Sequence, residues 1–251
     1  MSRYFIQLSY NGAAYHGWQV QKNANSVQAE LNKALSVYLQ ETIEVVGAGR
    51  TDTGVHAKFY VAHFDSINQE LETDPLLLLY KLNCLLPSDI AVASIKKMHN
   101  DAHARFDATS RVYKYYICQA KNPFFNDFAY SLYIPLNIDE MNKAAQLLFE
   151  YSDFTSFSKL HTDVKTNNCK VIHAQWIKEK DDLLVFTIAA DRFLRNMVRA
   201  IVGSLLEVGK GKISVDEFRQ IVEQKDRSKA GMSVPAKALF LTNISYPYDI
   251  G

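Results

Sequence analysis

Cysteine is scarce in this chain: three residues, Cys84, Cys118 and Cys169, odd in number and widely separated. That spacing excludes a disulfide framework and offers no zinc-ligand pair, and it fits reduced thiols, so a cytoplasmic protein is expected. Long apolar runs are also missing. The longest candidate, residues 76–79, falls far short of the ~18 residues of a membrane helix. The first ten residues mix Arg, Gln and Ser into a short apolar pattern and do not read as a secretory leader. An excess of one charge is absent too, with 28 Lys+Arg against 27 Asp+Glu and a net charge of +1. Nucleic-acid-binding domains are usually basic, so any RNA site here has to be a local patch. The sequence Gly209-Lys210-Gly211-Lys212 lacks the spacing of a nucleotide triphosphate loop. His99 and His103 stand four apart, but Asn100, Asp101 and the Ala104-Arg105-Phe106 that follows read as loop, and no H-E-x-x-H pattern is present. No metal site is therefore expected, and no internal repeat is visible.

What is present is a chain of 251 residues, 48% hydrophobic and 22% charged, long enough for one large domain or two ordinary halves. Its densest stretch of special residues is Gly47-Ala48-Gly49-Arg50-Thr51-Asp52-Thr53-Gly54-Val55-His56-Ala57, directly after the mostly apolar residues 43–46. Closely spaced glycines permit positive φ and close approach to the main chain. One carboxylate is thereby held at a strand tip. Asp followed two residues later by Gly is also the spacing of a simple Asx-turn. Arg50 distinguishes it, because a guanidinium two residues from Asp52 could keep the acid ionised and oriented.

Periodicity predicts strands at 3–10, 43–47, 59–64, 90–96, 111–118, 170–178, 183–189 and 236–246. Helices are expected after the Ser26 cap, with Val27, Leu31, Ala34, Leu35 and Tyr38 on one face, from Asp74-Pro75 to residue 85, and over 139–150. Another is expected over 192–207, and a short one behind the capping box Ser214-Val215-Asp216-Glu217. On strand 111–118, alternation puts Arg111, Tyr113 and Tyr115 on one face, a combination suited to stacking a splayed-out base. On helix 192–207, Arg192, Arg195, Asn196, Arg199 and Gly203 share one wedge of an otherwise apolar circumference. Those arginines face either a solvated edge or a polar cleft. Residues 159–168 read as a mobile polar loop, and Lys159, Lys165 and Lys170 could touch phosphate.

Four ordered segments resemble the tRNA pseudouridine synthase A family. They are Tyr10-Asn11-Gly12 with Tyr15, Gly17, Trp18 and Gln19; Gly49 to His56, matching G-R-T-D-x-G-V-H; Arg105 to Tyr113, matching R-F-x-A-x-x-R-x-Y; and Phe193 to Gly203, matching F-L-x-x-M-V-R-x-I-V-G. Ala238-Leu239-Phe240-Leu241 is similar to the family's closing segment. Asn11 and Thr53 replace the usual aspartate and the frequent alanine.

The resemblance implies an α+β pseudouridine synthase fold, two α/β halves sharing a mainly antiparallel sheet flanked by helices. The halves are expected at 1–130, with the aspartate loop, and 131–251, with the arginine-bearing helix. It implies isomerisation of uridine to pseudouridine in the tRNA anticodon stem-loop (positions 38, 39 and 40), by a homodimer, with no metal and no cofactor. Asp52 inherits the nucleophile's role and Arg199 that of its ion partner, with Arg50 helping to organise the acid. Tyr113 inherits contact with the target uridine, Leu241 packing beside the base, and Arg105 and Arg111 belong to the substrate-binding motif. A synthase of the same fold acting on another RNA, or a non-catalytic tRNA-binding protein, are the alternatives.

Overall fold

The computed structural model describes residues 1–68, 71, 75–159, 166–180 and 182–251. The fold is α+β, as the sequence implies, and divides into two compact units. The first comprises Met1–Thr109 and Leu241–Gly251, the second Ser110–Phe240. These boundaries differ from the expected division at 130, because the strand that follows residue 109 pairs with the later hairpin rather than with the strands before it.

In the first unit, β1 (Ser2–Tyr10) lies between β3 (His56–Ser66) and β4 (Ile90–Met98), antiparallel to both. The expected strand at 43–47 contracts to β2 (Val46–Gly47), paired with His63 and Ala62 of β3. Its upstream residues are held from the helix side instead: Asn32 Oδ1 accepts from Val45 N at 2.9 Å and Ser36 Oγ from Ile43 N at 2.9 Å. Side chains thus replace ladder bonds, satisfying the backbone without a neighbouring strand. The Val27–Leu39 helix is capped by Ser26, whose side chain accepts from Ala29 N. It buries Val27, Leu31, Ala34, Leu35 and Leu39. Tyr38, expected on that face, is half-exposed beneath the Lys81 ammonium, 5.5 Å from its ring centroid. The Pro75–Leu85 helix contributes Asn83, which donates to Val92 O at 2.9 Å and accepts from Val92 N at 2.8 Å. The Asp74 cap lies outside the described residues.

The second unit is built on β5 (Ser110–Cys118), β8 (Leu183–Ala190) and β7 (Val171–Lys178), in that spatial order and antiparallel. A two-residue strand, β6 (Tyr130–Ser131), adds parallel to β5. The Ile138–Gln146 helix, capped by Asn137, buries Met141, Ala144 and Ala145 and continues as a 3-10 turn over Leu147–Glu150. From it Asn142 makes the same two-bond clasp on β7, donating to Trp176 O at 3.1 Å and accepting from Trp176 N at 2.8 Å. The Val215–Glu223 helix carries the expected capping box, with Ser214 and Glu217 bonded reciprocally. Trp176, Phe186, Phe154, Phe157 and Phe218 form its buried aromatic core, each contributing on the order of 1.5–3 kcal/mol through burial.

The helix expected from Arg192 begins only at Met197 and runs to Gly209. Asn196 sits at φ 67°, a left-handed conformation that no residue inside a right-handed helix adopts. Upstream, Asp191 Oδ1 accepts from the amides of Lys170 and Arg192 at 2.7 Å each, holding the chain out of helical geometry. Arg192 and Arg195 therefore do not share a helical stripe with Arg199. Gly203 allows this helix to touch the chain at 231–232: a Cβ there would stand 1.9 Å from Met232 O. The last strand, β9 (Leu239–Ser245), is preceded by a 3-10 turn over Ala236–Ala238 rather than starting at 236. Leu239 and Phe240 belong to the second unit and the remainder of β9 to the first. Lys165, Asp181 and most of the polar loop at 159–168 lie outside the described residues. Among the described residues, no helix is long and apolar enough to cross a membrane.

Candidate active site

The Gly47–Ala57 stretch is anchored residue by residue onto the loop that follows β1. Thr51 is buried, and its Oγ1 lies 2.9 Å from the Tyr10 hydroxyl. His56 is buried and its Nδ1 accepts from Gly12 N at 3.1 Å. Thr51 O accepts from Trp18 N at 3.3 Å, and Tyr15 O from Gly54 N at 3.3 Å. Ala48 N donates to Val61 O at 2.9 Å, and the Tyr60 hydroxyl donates to Gly49 O. Beneath the loop, Trp18 stacks on Tyr60 with centroids 4.1 Å apart. Gly17, at φ 91°, brings the two loops into contact: a Cβ there would stand 2.3 Å from Thr51 O. Between Thr51 and Val55, both buried, Asp52 is half-exposed at the crest of a turn closed by Val55 N donating to its carbonyl at 3.1 Å. The turn at Asp52 is thus closed through its main-chain carbonyl. Arg50 is exposed.

The Arg105 motif forms a turn over His103–Asp107 in the same unit. His63, buried on β3, accepts from Ala104 N through Nδ1 at 3.1 Å. Nearby, Arg3 forms a bidentate pair with Asp65 at 2.8 and 2.7 Å and donates to Ala102 O at 2.8 Å. Burial, reinforced by the Arg3 guanidinium and His103 and opposed by Asp65 and Asp107, lowers the His63 imidazole to about 4. Its native state therefore disfavours the proton, and the stability this contributes is complete above the unfolded value near 6.5 and lost as pH falls toward 4. Between pH 6.5 and 4, wild-type stability is expected to fall more steeply than that of His63→Gln, by up to about 1.4 kcal/mol per pH unit. Urea midpoints measured across that window check it; parallel curves would mean His63 does not carry the slope.

In the second unit, Arg111 donates to Asp191 O at 2.7 Å, and Tyr113 meets Phe193 edge-on, with centroids 5.2 Å apart at 90°. Both are half-exposed, as is Arg199. Tyr115, expected beside Tyr113 as a stacking surface, is fully buried and donates to Pro235 O at 3.0 Å, so it belongs to the core. The Arg199 Nε donates to Val234 O at 2.7 Å, and its carbonyl accepts from Val234 N at 3.2 Å. Asn196 and Arg227 both donate to Ser233 Oγ, at 2.6 and 2.9 Å, bracing the same segment. Asp191 joins three segments here, its carboxylate accepting from the backbone amides of Lys170 and Arg192 and its carbonyl from the Arg111 guanidinium. Leu241 is buried on β9. Burial pushes the Cys169 thiol up to about 12, against the pull of Arg192, so it is no nucleophile at neutral pH.

Sequence reasoning does not find the anchoring roles of Thr51 and His56, since a hydroxyl and an imidazole beside an acid read equally well as chemistry. It places Phe193 on an apolar helix face, whereas Phe193 lies outside the helix against Tyr113. The signal for that is Asn196, a residue type tolerant of left-handed backbone, standing between the Phe-Leu pair and the apolar run.

A family profile described as tRNA pseudouridine synthase matches residues 144–247. Over 250 residues the chain is 58% identical to a protein of Bacteroides fragilis named tRNA pseudouridine synthase A, covering 100% of this chain and 98% of that one. The protein of the same name in Bacteroides thetaiotaomicron is 59% identical over 252 residues, covering 100% and 93%. That of Thermoanaerobacter pseudethanolicus is 41% identical over 248 residues, covering 98% and 100%.

Proposed function

Because the chain belongs to the tRNA pseudouridine synthase A family, we infer that it isomerises uridine to pseudouridine in tRNA. Within that reading, the substrate region is the anticodon stem-loop, at positions 38, 39 and 40, the working enzyme is a cytoplasmic homodimer, and no cofactor or metal takes part. One observation carries it: the family's G-R-T-D-x-G-V-H segment is held by a buried lattice of Tyr10, Gly12, Trp18, Thr51, His56 and Tyr60 that leaves Asp52 at the crest.

The reaction breaks the N1–C1′ bond, turns the uracil, joins C5 to C1′, and transfers a proton from C5 while N1 regains one. No electrons or groups are imported, so the chemistry asks for an ionised carboxylate and a means of holding a base out of its stack. The carboxylate of Asp52 either attacks C1′, as in retaining glycosidases, or takes a proton from the sugar, and both routes use its charged form. Arg50, exposed two residues away, adds positive charge over the same turn. Extruding the base costs a few kcal/mol, and stacking on Tyr113 offsets about 1–3 kcal/mol of that. Arg111 and Arg105 serve the RNA backbone. The parts given to Arg199, partner of the carboxylate, and to Leu241, apolar neighbour of the base, rest on the family motifs.

Release of tritium from tRNA labelled at uridine C5 tests the reading, since C5–H is lost only when the new carbon–carbon bond forms. Wild type is expected to release it, and no release from any tRNA would overturn the assignment. In the same assay Tyr113→Leu, which removes the ring and leaves the Arg111–Asp191 bond alone, is expected to lower kcat/KM by about tenfold to a hundredfold. Tyr113→Phe is expected to retain most of it.

A further inference from the structure

Each of the five backbone N–H groups from His103 to Asp107 has a partner. His103 N donates to Asp107 Oδ2 at 2.7 Å, Ala104 N to His63 Nδ1 at 3.1 Å, and Asp107 N to His103 O at 3.1 Å. Arg105 N and Phe106 N both donate to His103 Nδ1, at 3.1 and 3.2 Å. From the closing segment, the Tyr246 hydroxyl donates to Ala104 O at 2.6 Å and that of Tyr248 to Asp107 Oδ2 at 2.7 Å. A turn fixed this completely has no need to leave its one large apolar side chain facing outward. Yet the Phe106 ring is 74% exposed.

The ring is not loose. The His103 imidazole backs it at 4.2 Å between centroids and 32° between planes, and the Arg105 guanidinium lies over the ring, 5.6 Å from its centroid. The surroundings are polar: Asp101 and Arg105 are exposed, and Ala102, Ala104 and Ala108 are buried. A single aromatic face amid charged side chains is a poor seat for an apolar protein surface, which needs a contiguous patch. It suits a planar heterocycle that carries an anion one bond network away, which is a nucleotide. Stacking against an aromatic ring is how proteins hold unpaired bases, and an adjacent guanidinium matches the phosphate.

We propose that Phe106 is a stacking platform for one unpaired base of the RNA substrate, with Arg105 on the adjoining phosphate. The inference rests on the reading of the protein as a tRNA uridine isomerase and adds a positioning residue to it. The ring takes no part in bond making, so its removal weakens binding rather than chemistry.

The test compares Phe106→Ala, Phe106→Leu and Phe106→Trp with wild type on one tRNA transcript, following Kd by filter binding and tritium release at saturating tRNA. Ala and Leu are expected to raise Kd about tenfold, leaving kcat within about twofold and melting temperature unchanged. Trp is expected to bind as wild type does. Because Trp18 and Trp176, the chain's two native tryptophans, are buried, the new indole also reports directly, and its fluorescence is expected to be quenched as tRNA binds. Wild-type affinity in Phe106→Ala, or full affinity in Phe106→Leu, overturns the platform while leaving the isomerase reading standing. An unquenched indole at saturating tRNA overturns it too. Failure of wild type to convert tRNA overturns both.

Discussion

Asp52→Asn is expected to release no tritium above background under conditions where wild type turns over, a loss of at least about a thousandfold. The substitution exchanges one oxygen for an NH2 of nearly the same size, so shape is kept and charge is lost. Neighbours hold the turn around it: Thr51 on Tyr10, His56 on Gly12, and the backbone of residues 51 and 54 on Trp18 and Tyr15. The variant is therefore expected to melt with wild type and still bind tRNA. Loss of activity with retained folding and binding would make the carboxylate the reacting group. Normal turnover would mean that another acid does the work.

Gly17→Ala is expected to cost about 3 kcal/mol or more, lowering the melting temperature by about 5–10 °C and turnover with it. Two penalties coincide at this position. A left-handed φ of 91° strains any residue with a side chain, and the new methyl would lie 2.3 Å from Thr51 O and 3.2 Å from the Asp52 carbonyl carbon. Backbone cannot swing aside as a flexible side chain can, so the aspartate turn itself must shift. Gly49→Ala is the matched control, because a Cβ there meets nothing within 4 Å, and its melting temperature should stay at the wild-type value. Equal stability of Gly17→Ala and Gly49→Ala would show that the two loops are not packed as described.

Much of this was legible in the order of residues. Local devices could be read because they act over three or four residues: the Ser26 cap, the Ser214–Glu217 box and, Tyr38 apart, the apolar face of Val27, Leu31, Ala34 and Leu35 stand as expected. What could not be read depends on partners distant in sequence. The stretch at 43–45 alternates as a strand would, but the amides of Ile43 and Val45 go to Ser36 and Asn32. Helix periodicity runs backward from Arg199 to Arg192 without a break, and it is stopped by the left-handed backbone of Asn196 and by the Asp191 carboxylate, bonded to two amides. Tyr113 and Tyr115 are equivalent on a bare strand. The carbonyl of Pro235, 120 residues away, makes one of them core. For the site, the resemblance to the family motifs is what assigns parts to Asp52, Arg199 and Tyr113, whereas the supports of Asp52 are hydrogen bonds between two loops and leave little trace in either alone.

The twin asparagine clasps bear on behaviour outside the active site. β4 and β7 each pair with a single strand of their own unit, β1 and β8 respectively. Such a margin is an open template on which another copy of the chain, or an unfolded segment, can extend the ladder. Asn83 occupies both backbone groups of Val92, and Asn142 both groups of Trp176, so an incoming strand meets hydrogen-bonding positions already taken. Lysines at 96, 97 and 178 add charge along the same margins. Two amide side chains on unrelated helices thus work against fibrillar self-association, a safeguard that would be needed most while the protein is newly made and crowded with its own copies.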